Sequence, residues 1–435
     1  MRRVVFLVDM NAFFISCEML RRPALRGVPA AVAGDPKTRT GIILAANYEA
    51  RAFGVKTAMV LHKALALCPG LITVPPDHGF YEKKSSEVME LLARYTPVVE
   101  QNSIDEAWLD MTGCEALFGP PADSAARIMA DIRDSIGLWC SIGIAENKFL
   151  AKMASEMKKP LGITELWPED IPTKLWPLPV RSIYGVGGRT ADRLTRIGIM
   201  TIGDLARLDR PFLTRLFGKG GESLHDHANG IDDTPVCAHV LDGMKQIGRS
   251  TTLPEDVSDL GKARRILLEL VDDIGRTVRR HGKKGRTVHI TLKYADFTVA
   301  TRQARIPETS TTQGIFEGAW QLLAQNWDPG RPVRLIGAAL SGFDEASELP
   351  PGAEGSGSQI SLFDAAPAGP SGPAPSGSDP LGESGKREKL DAAMDRIRAR
   401  MGDGAVGVAS LLKEKRPPRS SPDLDKREDR DETVS

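Results

Sequence analysis

Apolar and polar residues along the chain follow two different periods, so the sequence predicts both strands and helices. Residues 4–8 are all apolar and end at Asp9, which predicts a buried strand followed by a helix. A similar run at 140–144 predicts a second buried strand. Between the two runs lie helical stretches and a segment at 98–111 whose Asn-Ser pair suits a hairpin turn. These elements predict one mixed domain in the N-terminal part of the chain.

The second half of the chain has a different pattern. Glycines divide 178–217 into several short helices. Alternating apolar and polar residues at 285–300 then have the period of two that is typical of a half-buried strand. Its predicted neighbours are a helix at 258–281, a helix at 312–326 and an apolar strand at 333–340. This order favours a compact α+β domain near 240–345.

The end of the chain is poor in large apolar residues. From about 346 to Gly385 the composition shifts to Gly, Pro, Ser and Ala, which cannot offset the entropy of ordering the chain. We therefore expect a flexible tail at 346–435. Within it, four apolar residues at helical spacing predict a short amphipathic helix near 387–402: Leu390, Met394, Ile397 and Met401.

Composition limits the class of protein. With 435 residues the chain is expected to form two to four domains, and 41% hydrophobic with 26% charged residues is the balance of a soluble globular protein. The formal net charge is zero, so a nucleic-acid partner would have to bind local patches. The five cysteines are scattered, which argues against disulfides or a zinc site. No apolar run suits a membrane span or a signal peptide, so we expect a cytoplasmic protein.

Three carboxylates are candidates for chemistry: Asp9 at the end of the first strand, and Asp105 and Glu106 at the hairpin tip. Successive strand residues point to opposite faces, so Asp105 and Glu106 share a site only if the turn bends the backbone. Clustered carboxylates repel unless cations neutralise them, and oxygen-only ligands favour Mg²⁺ or Mn²⁺. Two such ions about 3.5–4 Å apart can support an in-line displacement that releases pyrophosphate. Alternatively, Asp9 caps the following helix and the other two are solvated turn residues.

Three further side chains suit a triphosphate. Tyr48 and Arg51 are three residues apart and so lie on one face of a helix, where a hydroxyl and a guanidinium can grip phosphates together. Lys159, just before Pro160 at a predicted helix end, can add a point charge. The simpler explanations are an exposed ion pair for Arg51 and charge complementarity with the helix end for Lys159.

Five segments, taken in their order, resemble the Y-family DNA polymerases, and most of all their bacterial members. They are VDMNAFF at 8–14, AANYEARAFGV at 45–55, SIDEAWLDMTG at 103–113, SIGIAENKFLAKMASEMKKPLGI at 141–163 and IGRSTTLPEDV at 247–257. The resemblance covers residues 4–345 and implies a multidomain α+β fold shaped like a right hand. The implied domains are a palm at 1–10 and 76–165, small fingers at 11–75, a helical thumb at 166–233 and an α+β little finger at 240–345.

The resemblance also implies an activity, template-directed DNA synthesis of the low-fidelity, translesion type, and roles for single residues. The implied ligands of two Mg²⁺ ions, which Mn²⁺ can replace, are Asp9, Asp105 and Glu106, with the Met10 carbonyl as a further ligand. Glu106 is also the implied catalytic glutamate. The residues implied to hold the incoming deoxynucleoside triphosphate are Tyr48, Arg51 and Lys159.

Phe14 matches the aromatic steric gate of this family, which packs under the sugar and excludes a ribose 2′-hydroxyl. Ordinary core packing is the simpler explanation. The chain departs from the family pattern at Asn11 and Ala12, where a second aspartate and a tyrosine are common. Asn11 removes a negative charge near the site without removing any of the three expected ligands, so lesion and nucleotide preferences are harder to transfer.

Two segments are expected to hold primer–template DNA by its backbone. In the thumb, 183–188 resembles a helix-hairpin-helix turn, where Gly185 and Gly187 let backbone N–H groups approach a phosphate beside Arg189; a tight turn is the alternative. In the little finger, the window 276–286 contains basic but no acidic residues. The residues expected to contact DNA there are Arg249, Arg279, Arg280, Lys283 and Lys284.

The tail contains QISLF at 359–363, which resembles the short peptide by which bacterial polymerases bind the sliding clamp. Leu362 and Phe363 would fill an apolar pocket while Gln359 hydrogen-bonds, and the tether would raise the local DNA concentration. We expect a monomer that is associated with the nucleoid when on DNA. Two other functions stay open: an inactive DNA- and clamp-binding accessory protein with the same fold, and a palm-type nucleotidyltransferase that needs no template.

Overall fold

The structure is a computed structural model that describes residues 2–39, 41–238, 244–343, 383–402 and 405–407. The chain forms two compact units, Met1–Met244 and Lys245–Ser435. Sheets and helices occur in both units, so the predicted multidomain α+β class is confirmed.

The first unit contains two sheets. Its strands are β1 (Val5–Met10), β2 (Ala30–Ala33), β3 (Ile43–Ala46), β4 (Ile72–Val74), β5 (Val99–Gln101), β6 (Glu106–Asp110), β7 (Cys140–Ala145) and β8 (Ile163–Glu165). The larger sheet has the order β5-β6-β1-β7-β8, and the smaller one has the order β3-β2-β4. β1 is antiparallel to both of its neighbours. The strands predicted at 4–8 and 140–144 are therefore paired side by side in the centre of the larger sheet.

Helices pack on both faces of the larger sheet. The helices of the first unit are α1 (Phe13–Arg21), α2 (Tyr48–Ala52), α3 (Leu61–Leu67), α4 (His78–Leu92), α5 (Glu115–Phe118), α6 (Pro121–Ile136), α7 (Lys148–Met157), α8 (Gly188–Arg196), α9 (Ile202–Ala206), α10 (Arg210–Phe217) and α11 (Lys219–Ala228). Phe6 and Val8 pack with α4 and α6, whereas Val5 and Leu7 pack with α7 and the short helices that follow 178. Burial on both faces explains why the run at 4–8 is continuously apolar.

The second unit is built on a four-stranded antiparallel sheet of order β11-β10-β12-β9. Its strands are β9 (Gln246–Val257), β10 (Gly285–Tyr294), β11 (Val299–Thr309) and β12 (Val333–Ser341), and its first two helices are α12 (Leu260–Arg280) and α13 (Thr312–Gln325). In β10 the even-numbered residues 288–294 are buried, as their alternation predicts. Within the described ranges one face of this sheet is open, and it forms a shallow concave surface lined by Ser250, His289, Thr291, Lys293, Thr301 and Gly337.

The second unit contains a third helix, α14 (Glu383–Met401), which confirms the helix predicted near 387–402. The apolar face expected of an amphipathic helix is not buried as a whole. The apolar residues Leu390 and Met401 are 62% and 76% exposed. The contacts to α12 and α13 are made by charged side chains instead. The tail expected from 346 thus contains the helix that its apolar spacing predicted, and charged residues of that helix contact α12 and α13.

Residues 359–363, the predicted clamp-binding peptide, lie outside the described residues. Among the helices of the described ranges, none is both long enough and apolar enough to cross a membrane.

Candidate active site

Strand pairing in the larger sheet brings two of the predicted carboxylates together. In the antiparallel ladder of β1 and β6, Asp9 lies directly opposite Glu106. The hairpin turn predicted at Asn102 and Ser103 is present, and the Met10 N–H donates a hydrogen bond of 2.9 Å to the Asp105 carbonyl. Cross-strand partners have Cβ atoms about 4.5–5.5 Å apart, so Asp9 and Glu106 project from the same point of one sheet face.

A lysine that sequence reasoning missed lies at the centre of these groups. Lys152, on α7, is only 8% exposed. Its ammonium donates to Asp9 Oδ2 at 3.0 Å, to Glu106 Oε1 at 2.7 Å and to Glu156 Oε1 at 2.8 Å. One buried cation thus contacts three carboxylates.

Lys159 contacts two of the same carboxylates, Asp9 and Glu156, from the chain that follows α7. Its Nζ lies 2.8 Å from Asp9 Oδ2 and 2.8 Å from Glu156 Oε1. The simpler explanation, a charge that complements the end of a helix, does not account for this contact with a buried side chain of β1. Lys159 therefore belongs to the site, although its predicted contact with a triphosphate is untested.

We use the name acidic cluster for Asp9, Asp105, Glu106 and Glu156. Carboxylate oxygens of Asp9, Glu106 and Glu156 all lie within 4.8 Å of one another. Asp105, the fourth member of the acidic cluster, lies beside these three carboxylates, and its own carboxylate accepts a 2.7 Å hydrogen bond from the Ser103 hydroxyl. The third carboxylate that the fold brings to Asp9 and Glu106 is thus Glu156, which sequence reasoning did not single out.

Burial and contact with the lysines change the acidities within the cluster. Burial raises the pKa of Asp9, and the attraction of Lys159 and Lys152 reverses only part of that rise. Burial likewise raises the pKa of Asp105. For Glu106 burial works in the same direction, but hydrogen bonds with Asp9 and Lys152 outweigh it and lower the pKa. The lysines lower the pKa of Glu156 in the same way, so the cluster holds two carboxylates that ionise readily, Glu106 and Glu156, beside Asp9 and Asp105, which resist ionisation.

The explanation of Asp9 as a helix cap is wrong. Helix α1 has Ala12 at its N-cap, in the left-handed conformation, and no side chain caps the helix. Asp9 is 5% exposed. The explanation of Glu106 as a solvated turn residue is also wrong, because Glu106 begins β6 and its side chain is 18% exposed.

Tyr48 and Arg51 lie together on α2, as their spacing predicts. The Arg51 guanidinium carbon is 4.8 Å from the centre of the Tyr48 ring, and its Nε donates to the Ala46 carbonyl. Burial raises the pKa of Tyr48, and the charges of Arg51 and Lys159 act on its hydroxyl in the opposite direction. That hydroxyl is buried and has no hydrogen-bond partner among the described residues. An unpartnered buried hydroxyl is costly unless a ligand completes it.

Phe14 is half-buried near the start of α1. Its ring stacks on Tyr81 with a centre-to-centre distance of 4.5 Å, and His78 meets it edge-on at 5.9 Å. Phe13, by contrast, is fully within the core. The Phe14 ring is therefore fixed in position without being enclosed, which suits a gate as well as it suits packing.

Asn11 departs from the family pattern, and one of its contacts needs a donor that an aspartate lacks. Its amide nitrogen donates to Ser141 Oγ at 3.0 Å, and its carbonyl oxygen accepts from the Leu161 N–H at 3.0 Å. An ionised aspartate has no donor for Ser141. Asn11 therefore connects β1 to β7 and to the loop that carries Lys159.

The predicted DNA contacts differ in how accessible they are. Gly187 is the N-cap of α8, Gly185 has a positive φ of 88°, and Arg189 is exposed in the first turn. A Cβ added at either glycine would meet no atom of the described residues within 4 Å, so this turn has an open surface in that part of the chain.

In the second unit the predicted basic patch is largely occupied. Arg279 is 12% exposed and binds Asp391 and Asp395 of α14, so its prediction as a DNA contact needs correction. Lys284 pairs with Glu388 of α14 at 2.8 Å. Arg249 pairs with Asp273 of α12. Arg280 and Lys283 make no ion pair within the described residues; the Lys283 ammonium lies over the Phe343 ring.

Lys152 and Glu156 could have been found only in part. They are four residues apart, and Lys152 interrupts the apolar stretch 149–154, which is unusual for an exposed lysine. That signal indicates a buried, paired lysine. The partners of the lysine come from β1 and β6, more than 40 residues away, and only the fold shows them.

The donor set of the acidic cluster is compatible with divalent metal ions. All of its candidate ligands are oxygens, which hard cations such as Mg²⁺ prefer. Lys152 and Lys159 lie among these carboxylates and neutralise part of their negative charge.

Comparison with known proteins places the chain in a family. Residues 8–156 match the profile of the impB/mucB/samB family, 168–199 match the IMS family HHH motif, and 244–355 match the impB/mucB/samB family C-terminal domain. "DNA polymerase IV" of Alkaliphilus oremlandii is 55% identical over 95% of this chain and 100% of its own length. "DNA polymerase IV" of Clostridium kluyveri is 52% identical over 95% of this chain and 99% of its own.

A solved structure agrees with these sequence matches. A "Y-family DNA polymerase chimera Dbh-Dpo4(243-245)-Dbh" is 27% identical, with a TM-score of 0.69, and the match covers 78% of this chain and 99% of the chimera. The fold and the sequence matches are thus those of a DNA-directed DNA polymerase. The chain belongs to the Y family of these enzymes, the translesion class, and the resemblance predicted from its motifs is confirmed.

Proposed function

We propose that the acidic cluster is the catalytic centre of a translesion DNA polymerase that uses two Mg²⁺ ions. The observation that carries this proposal is the convergence of Asp9 and Glu106 on the Lys152 ammonium, with Lys159 also bound to Asp9 and with Asp105 beside them. Asp9, Asp105 and Glu106 would hold the ions, and the Met10 carbonyl would add a ligand. Bound in this way, the ions supply an activated 3′-hydroxyl and charge neutralisation at the leaving pyrophosphate. Mn²⁺ is expected to substitute.

The side chains around the cluster would bind and select the nucleotide. Tyr48, Arg51 and Lys159 would hold the triphosphate of the incoming deoxynucleotide, and the unpartnered Tyr48 hydroxyl supports this role. The Phe14 ring would lie under the sugar and leave no space for a 2′-hydroxyl. An enzyme that discriminates mainly by these contacts would accept damaged templates.

DNA would be held through its backbone at two places. The open turn at Gly185–Gly187, beside Arg189, would bind a phosphate with its N–H groups. In the second unit, the open sheet face is the better candidate, because α14 occupies much of the basic patch at the end of α12. Lys293 and the small polar residues of that face suit a sugar–phosphate chain.

We also propose that the peptide at 359–363 binds the sliding clamp and that the enzyme acts as a cytoplasmic monomer on nucleoid DNA. Only the sequence supports the clamp contact. Replacing Leu362 and Phe363 with alanine should leave basal primer extension intact and remove its stimulation by clamp. Equal stimulation of both forms would refute the contact.

Primer extension with matched variants tests the catalytic proposal. Glu106→Gln and Asp105→Asn should each abolish incorporation with Mg²⁺ while the protein stays folded. Asp110→Asn, at the far end of the same strand, is the control and should extend primers normally. Full activity of Glu106→Gln would mean that the cluster is structural; product formed without primer–template would point to a different transferase.

A further inference from the structure

Glu156 forms an unusual pair of contacts at the end of α7. Its Oε1 accepts hydrogen bonds from both Lys152 and Lys159, each at 2.8 Å. Burial opposes its ionisation, but the two lysines outweigh burial and lower its pKa. The side chain is 50% exposed, far more than Asp9 at 7%. Glu156 is thus an ionised carboxylate at the rim of the site, shared between two ammonium groups.

The same two ammonium groups also share Asp9. Lys152 and Lys159 lie 3.0 Å and 2.8 Å from Asp9 Oδ2. Asp9, Lys152, Glu156 and Lys159 therefore form a closed ring in which charges alternate in sign. Each lysine contacts Asp9 in the interior of the site and Glu156 at its rim, and Lys152 also contacts Glu106 in the interior.

Divalent cations bound to Asp9 would lie close to the two ammonium groups, and like charges at such distances repel strongly in a poorly solvated site. The ring must therefore open when cations bind. The lysines must then leave Asp9. Glu156 is four residues after Lys152 and three before Lys159, so both lysines reach it through side-chain rotation alone.

We propose that Glu156 is a positioning residue that retains Lys152 and Lys159 at the rim when cations replace them at Asp9. It thereby presents Lys159 to the triphosphate of the incoming nucleotide. This inference rests on the proposed function, in which Asp9 holds a cation and Lys159 contacts the triphosphate. Glu156 serves the lysines in this arrangement and is not itself a metal ligand.

A purely structural role is the alternative, since Glu156 also forms ordinary i,i+3 and i,i+4 pairs on one helix. Such pairs contribute little to the stability of a helix. A structural role would change the melting temperature slightly and would leave substrate and metal binding unchanged. The two roles are therefore separable by measurement.

The test compares Glu156→Gln and Glu156→Asp with the wild type in single-nucleotide incorporation and in Mn²⁺ titration of the DNA-free protein. For Glu156→Gln we expect the KM for deoxynucleotide to rise about tenfold, as for loss of one charged hydrogen bond, with kcat within about twofold. Mn²⁺ binding should weaken about five- to tenfold, because the lysines lose their alternative anion. Glu156→Asp should restore much of both. Glu87→Gln, which breaks the i,i+3 pair with Lys84 on α4, is the matched control and should change neither.

Two results would overturn the inference. Unchanged KM and unchanged Mn²⁺ affinity in Glu156→Gln would leave Glu156 a structural residue. A collapse of kcat like that of Glu106→Gln would make it a metal ligand. Lys159→Ala separates this failure from failure of the proposed function: if Lys159→Ala leaves KM unchanged, the triphosphate contact itself is wrong, whereas a raised KM there with a normal Glu156→Gln refutes only the role of Glu156.

Discussion

Replacing Lys152 with methionine should destabilise the metal-free protein far more than the metal-bound one. Methionine keeps the buried aliphatic volume but leaves Asp9, Glu106 and Glu156 without their shared cation. At an effective dielectric constant of about 20, each contact of this length contributes about 6 kcal/mol of gross attraction, most of which desolvation offsets. Removing one partner of a buried ion pair costs about 3–5 kcal/mol net.

For a unit of this size, such a loss lowers the melting temperature by about 6–20 °C. The measurement is thermal unfolding in EDTA and in excess Mg²⁺. In EDTA the Lys152→Met variant should melt about 6–20 °C below the wild type. In excess Mg²⁺ the difference in melting temperature between variant and wild type should narrow, because a bound cation takes the place of the missing ammonium. Cations that bind only the folded state stabilise it by about 2.7 kcal/mol at a concentration of 100 times Kd.

Lys148→Met provides the matched control. Lys148 lies on the same helix and forms one buried ion pair with Glu100, at 2.6 Å, with side chains 14% and 10% exposed. Its loss should lower the melting temperature equally in EDTA and in Mg²⁺. If Lys152→Met also shows the same deficit in both conditions, Lys152 does not occupy the place of a cation, and the reasoning fails.

Three further outcomes are expected. Phe14→Ala should raise ribonucleotide relative to deoxyribonucleotide incorporation on the order of 10–100-fold, measured as the ratio of kcat/KM values; unchanged selectivity would assign Phe14 to packing. Arg398→Ala removes the ion pair with Asp272, which is only 18% exposed, and should detach α14 from α12. The expected result is faster hydrogen exchange over 383–401, and unchanged exchange there would count against ionic docking. The Thr201 backbone N–H donates to Asp204 and lowers its pKa in the folded protein. Ionised Asp204 therefore stabilises the fold above its unfolded pKa of about 3.9, and this stabilisation is lost as the pH falls through the lower folded pKa. Asp204→Asn should make the melting temperature fall less steeply at acidic pH, and an unchanged slope would contradict this.

The sequence predicted the helices and strands well where burial produces a clear spacing of apolar residues along the chain. Residues 4–8 are apolar throughout, and 140–144 are buried with Ser141 as their only polar side chain, because helices cover both faces of their sheet; β10 alternates because, within the described residues, one of its faces is open. β9 was not predicted as a strand. It is an edge strand with Pro254 within it, and its burial alternates only in places, so the pattern of a half-buried strand is weak there.

The helix α14 shows a different limit. Its apolar residues predicted the helix correctly, but charged residues dock it. Arg398 is 6% exposed and binds Asp272, and Asp391 accepts a hydrogen bond from the Thr312 N–H at the start of α13. These partners are separated by 79 or more residues along the chain, and an acid or base in a polar tail is normally solvated. Nothing in the local sequence distinguishes a docking charge from a solvated one.

The charge balance of the acidic cluster connects its stability with its affinity for cations. Four carboxylates face two ammonium groups, so the cluster keeps an excess of negative charge. With no lysine, mutual repulsion and burial would raise the pKa values of the carboxylates further and favour their protonated forms, which bind cations poorly. With four lysines, the site would be neutral and would not attract divalent ions. Two lysines that can turn to Glu156 allow the metal-free site to stay folded and ionised while it still favours the arrival of cations and of the triphosphate that they accompany.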